Sequence, residues 1–230
     1  MANPPNQKVR VKGKSAMRGM KGVFVSCLLM SILLARAAES GAALSLQQTG
    51  TGQVAVVDQH EARESSILST QLGQSNEVTF TQVQSLSARI ALNQSGLGNQ
   101  AAMLQSHLQQ SSISVQQDGS GLKASVTQRD SADVAALVVQ HGQMQDGIVM
   151  QSGVQLRVDI VQSGIANELL LNQSGTNLMA RLVQDGSGLT VHAAELGIDN
   201  VMQLSQSGKG GLIILQQSGQ GNRITVIQRN

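Results

Sequence analysis

The sequence predicts an all-β chain: a β-solenoid of about eight strand–turn–strand coils, with two parallel sheets stacked in a cross-β, amyloid-like manner. Three observations predict it. A glutamine recurs every 11 or 12 residues, a glycine stands two places after most of these glutamines, and the segments between them alternate apolar and polar.

The composition sets the problem. In 230 residues there is no Trp and no Tyr, and Phe24 and Phe80 are the only aromatics of that size. A core anchored on large aromatic side chains is therefore excluded. Charged residues make up 13 %, about half the usual share. At 40 % hydrophobic, the chain still lacks the apolar-poor, highly charged profile of a disordered protein.

The N-terminus reads as a targeting segment. Lys8, Arg10, Lys12, Lys14, Arg18 and Lys21 precede an apolar run over 22–35, followed by the small-x-small site Ala35-Arg36-Ala37. This pattern predicts a signal peptide over 1–37, cleaved after Ala37, with Met17 or Met20 offering a more usual start. The apolar run is too short for a spanning helix, which needs about 20 residues. A lipoprotein reading through Cys27 has too short an apolar run before the cysteine. Residues 38–47 form a short N-terminal segment, and 48–230 the repeat domain. The leader holds seven of the 16 basic residues and none of the 14 acidic ones, so the remainder carries nine against 14, a net charge of −5. The basic pI of about 9.0 therefore belongs to the leader and supports no nucleic-acid partner. Without Cys27 the chain also has no disulfide to form.

The repeat is anchored at Gln48, Gln59, Gln71, Gln82, Gln94, Gln105, Gln117, Gln128, Gln140, Gln151, Gln162, Gln173, Gln184, Gln206, Gln217 and Gln228, with Glu195 as the exception in the series. Spacings alternate between 11 and 12 up to Gln140 and are 11 thereafter. Turn glycines follow at Gly50, Gly73, Gly96, Gly119, Gly142, Gly153, Gly164, Gly175, Gly186, Gly197, Gly208 and Gly219. The four 12-residue units carry Glu61, Gln84, His107 and Asp130 there instead, so the extra residue takes over from the glycine. Two units then make one coil.

Period-two alternation gives each unit a strand. Leu156, Val158 and Ile160 share a face with Gln162, against Arg157, Asp159 and Val161; Asn76, Val78 and Phe80 share one with Gln82, against Glu77, Thr79 and Thr81. Glu168, Lys123, Arg89, Arg223 and His192 fall on the outer face. A strand with one apolar face buries it by stacking coils about 4.8 Å apart. Inward Gln, together with Asn76, Asn99, Asn167, Asn200 and Asn222, is then expected to form amide ladders along the stack.

The units over 94–105 and 217–228 resemble the curlin repeat, Gln-x-Gly-x-x-Asn-x-Ala-x-x-x-Gln, of the curli amyloid subunits of bacteria. The resemblance covers 48–230 and recurs unit after unit, although Asn stands at the family position in only five of them. It implies a secreted, self-assembling subunit of an extracellular pilus-like fimbrium serving cell adhesion and biofilm matrix. The implied partners are other copies, another curlin subunit and a curli-type outer-membrane export channel. The aliphatic inner face, the absence of Tyr and the ending Ile224-Thr-Val-Ile-Gln-Arg229-Asn lean toward the minor, nucleating subunit. Eight coils exceed the family's usual five, and the segment before Gln48 is shorter than its export-recognition segment.

Enzyme chemistry finds no foothold in the sequence. His60, His107, His141 and His192 are scattered without metal-ligand spacing. Gly119-Ser-Gly-Leu-Lys lacks the Gly-Lys-Ser/Thr of a phosphate loop, and Asp118 and Asp185 do not supply the calcium-binding nonapeptide. The expectation is a non-enzymatic protein with no cofactor, no metal and no small-molecule substrate. The alternative reading is a secreted β-solenoid adhesin or binding scaffold that does not polymerise.

Overall fold

A computed structural model describes residues 41–230 in full and, before them, only the backbone of β1 (Val23–Leu28) and β2 (Ser31–Ala37). The rest of the leader expected over 1–37 lies outside the described residues, as do residues 38–40. All described elements are strands, and all pair in parallel.

The pairing rule is simple: each strand bonds to the strand two places along the chain. β3 (Ala43–Thr51), β5 (Ser66–Gln74), β7 (Arg89–Leu97), β9 (Ser112–Ser120), β11 (Ala135–Gln143) and β13 (Arg157–Ile165) make one sheet. β4 (Gln53–Arg63), β6 (Glu77–Leu86), β8 (Gln100–Gln109), β10 (Lys123–Ala132), β12 (Asp146–Val154) and β14 (Glu168–Thr176) make the second. β15 (Met179–Ile198) and β16 (Val201–Gln220) each run through both sheets around a corner, and β17 (Arg223–Arg229) returns to the first. The result is a β-solenoid of about eight turns, as the repeat predicts. β1 and β2 pair with β3 and β4 at its N-terminal end.

Register follows the anchors, so Gln48 stands against Gln71 and Gln59 against Gln82. Because register is fixed, the alternation becomes two faces. Val78, Phe80, Val158 and Ile160 are fully buried in a core running the length of the stack. Each buried aliphatic side chain contributes on the order of 1.5–3 kcal/mol. Glu77, Lys123, Arg89, Arg223 and Glu168 are exposed and His192 is half-buried, on the outer face.

The corners explain the two unit lengths. In 11-residue units the second residue after the anchor has a φ between 107° and 152°, as at Gly119 (149°). A Cβ at Gly119 would lie 1.9 Å from the carbonyl oxygen of Gly142 in the next coil. In 12-residue units Glu61, Gln84, His107 and Asp130 instead have φ near 50°, a left-handed geometry open to side chains. The added residue then turns one more side chain inward: Ala62, Ser85, Leu108 and Ser131 are all buried. The change of unit length is absorbed by a register shift where β10 meets β12, between Arg129 and Ala132.

Candidate functional site

Two columns of amides run through the core, one per sheet. In the first sheet Gln48 donates its Nε2–H to Gln71 Oε1 at 2.6 Å, Gln71 to Gln94 at 2.8 Å, and Gln94 to Gln117 at 2.6 Å. The chain of donors continues through Gln140, Gln162, Gln184 and Gln206 to Gln228 without a break. Most of these amides spend their second N–H across the core. Gln140 donates to the carbonyl of Lys123 at 2.7 Å and Gln117 to that of Gln100 at 3.0 Å, each in the opposite sheet. One side chain thus bonds along its own sheet and ties it to the other. A buried amide left unpaired costs about 1–3 kcal/mol, so the full use of both N–H groups is what makes an inward Gln tolerable.

The second column runs from Gln59 through Gln82, Gln105, Gln128 and Gln151 to Gln173. Gln173 then donates to Glu195 Oε2 at 2.7 Å. Here the column stops. Glu195 Oε1 has no partner, and neither does the Oε1 or Nε2 of Gln217 beneath it. A carboxylate has no proton to pass on, whereas a neutral carboxyl has the O–H the column requires. Burial pushes the Glu195 pKa up to about 7, partly offset by the hydrogen bond from Gln173. It is the only ionisable side chain among the fully buried described residues.

The asparagines do not form a ladder of their own. Asn76 donates from Nδ2 to the carbonyls of Leu72 and Gly96, and its Oδ1 accepts from the backbone N–H of Asn99. Asn99 repeats this with Ser95, Gly119 and Leu122. At this corner position the amide bonds to the corner backbone rather than to a neighbouring amide. Asn167 occupies the same corner, while Asn200 and Asn222 hold the opposite one. Gln53 and Gln145 fill the Asn position in two coils and make the same two Nε2 bonds to corner carbonyls. Their extra methylene leaves Oε1 without a partner.

A second left-handed position in every corner escapes the sequence reading. Gly52, Ser75, Gly98, Gly121, Met144 and Ala166 all have φ between 52° and 66°. Glycine at only some of them is a faint signal, because Ser, Met and Ala serve elsewhere. The four histidines each approach one carboxylate on the surface, as His60 does Glu61 at 3.2 Å and His192 does Glu168 at 3.7 Å.

The remaining groups of interest are the two ends of the stack. At the N-terminal end the Oε1 of Gln59 is an acceptor without a donor. At the C-terminal end the Nε2 of Gln217 is a donor without an acceptor. Beyond β17 and the second half of β16, no described strand pairs with the edge. No family model, curated protein or solved structure matches this chain.

Proposed function

We propose that this chain is a secreted structural subunit of a curli-type extracellular amyloid fibre. It polymerises through the open edges of its solenoid and serves cell adhesion and biofilm matrix. The supporting observation is that the repeat ends at both edges on buried anchor amides with unused hydrogen-bonding groups, Gln59 Oε1 at one and Gln217 Oε1 and Nε2 at the other. An uncovered strand edge is a template for another strand, and a repeating core makes the template self-complementary. Removal of the leader after Ala37 would free the β3–β4 edge for this purpose. The aliphatic core favours the nucleating role, in which the edge is offered to a second curlin delivered by an outer-membrane export channel.

The test is to hold the purified secreted chain in near-neutral buffer. Thioflavin-positive fibres with a 4.8 Å axial reflection are expected. Lasting solubility would sink the proposal in favour of a non-polymerising adhesin or scaffold. The nucleating role predicts that seeds of this chain abolish the lag phase of another curlin.

A further inference from the structure

We propose that successive copies of this chain stack end to end with a half-turn about the fibre axis, so that the first sheet of one copy continues into the second sheet of the next. The inference rests on the fibre reading above and specifies its geometry.

The first sheet ends on β17, with anchor Gln228, and the second on residues 211–220, with anchor Gln217. At the other end the described repeat opens with β3 in the first sheet and β4 in the second. Anchors 48 to 228 therefore make an odd number of strands. If the next copy sat on the first without rotation, β3 would meet β17. Its β4 would then lie two strand spacings, about 9.6 Å, from residues 211–220, leaving a strand-sized gap in the core. A half-turn closes the gap. β3 then lies beneath residues 211–220 and β4 beneath β17.

The side chains at the two edges fit this arrangement. Gln217 Nε2, now unpartnered, meets Gln48, and Gln228 meets Gln59 with its unpartnered Oε1. Gly219 stands over Gly50. Within the stack a turn glycine stands over another, since a Cβ at Gly197 would lie 1.9 Å from the Gly219 carbonyl oxygen. Asn222 stands over Gln53. Asn200 shows what that contact supplies: its Oδ1 accepts from Asn222 N–H at 2.9 Å and its Nδ2 donates to the Gly219 carbonyl at 3.0 Å. The half-turn would give Asn222 the equivalent partners, Gln53 N–H and the Gly50 carbonyl. Glutamine, glycine and corner-amide columns thus all cross the junction together.

Disulfide trapping in fibres of the secreted chain tests this, because its one cysteine, Cys27, leaves with the leader. The half-turn places Gln216 beside Gln47, both exposed. The unrotated stack places Ile227 beside Gln47. In-register parallel strands about 4.8 Å apart are within disulfide reach. Gln47 lies at the opposite end of the molecule from Gln216 and Ile227, so either bond can form only between copies. Oxidised fibres of Q47C/Q216C are expected to run as a ladder of covalent multimers on a non-reducing gel, and those of Q47C/I227C as monomer. The reverse pattern, or fibres in which neither pair crosslinks, overturns the half-turn and leaves the fibre reading standing. Absence of sedimenting, thioflavin-positive material from the wild-type chain overturns both. Each single-cysteine variant, assembled in reducing buffer, shows whether the substitution itself permits folding.

Discussion

Gln173 donates a 2.7 Å hydrogen bond to Glu195, and Glu195 passes nothing on to Gln217. A ladder that is amide on amide elsewhere carries one carboxyl, buried where charge is costly. The folded-state pKa, about 7, exceeds the ordinary glutamate value of 4.5, so the folded chain holds the proton more tightly than the unfolded chain. The stability this contributes is fully present below about pH 4.5 and is lost as pH rises through 7. Guanidinium midpoints of the wild type are expected to fall across that window. In Glu195→Gln they should stay flatter, with a gain on the order of 1–3 kcal/mol at pH 7.5. Parallel pH profiles for the two chains would refute this.

Gly119 and Gly98 separate two roles of glycine. Gly119→Ala places a Cβ against the Gly142 carbonyl at a φ of 149°, whereas at Gly98, with φ 66°, an added Cβ meets nothing within 4 Å. Gly119→Ala is expected to cost roughly 3 kcal/mol or more, and Gly98→Ala about 1 kcal/mol. Denaturant unfolding of the two variants measures the difference.

Val158 and Asp159 are chain neighbours on opposite faces. Val158 is fully buried, while Asp159 faces outward and pairs with Arg157 at 3.2 Å. Val158→Asp should prevent folding and assembly, because an unpaired buried charge costs on the order of 3–5 kcal/mol. Asp159→Val should shift stability by no more than about 0.5 kcal/mol. Thioflavin kinetics of both chains would show it, and equal effects would reverse the assignment of faces.

Gln140 accepts from Gln117 and donates to Gln162 and to the Lys123 carbonyl. Gln140→Ala removes three bonds at once and leaves a cavity, at an expected cost of about 2–4 kcal/mol. Gln228→Ala, at the end of the column, removes fewer and should cost less. Denaturant unfolding of the two variants as freshly desalted monomers makes the comparison.

Much of this architecture can be read directly from the chain, because a solenoid repeats its instructions. The distance from Gln48 to Gln71 states the coil length, and the alternation around Phe80 states which face turns inward. What stayed hidden depends on place in the coil rather than on the alternation. Asn76 and Gln71 are both inward amides, yet Asn76, like Gln53 and Gln145 at the same corner position, bonds to the corner backbone, while Gln71 bonds to the next amide. Met144 and Ala166 occupy left-handed corners without a glycine to mark them. The odd Glu195 is plain in the sequence, but its missing donor toward Gln217 appears only when the columns are followed atom by atom.

The columns also have a direction. Along the sheets, backbone N–H groups point alternately forward and back, as Ala43 donates ahead to Ser65 while Ser75 donates behind to Thr51. Their dipoles cancel. The glutamine side chains all donate the same way, from Gln48 toward Gln228, so theirs add. As in a helix, aligned amides leave a partial positive charge at one end and a partial negative charge at the other. A filament built on this column would be vectorial, with two chemically unlike tips and its own sense of forward.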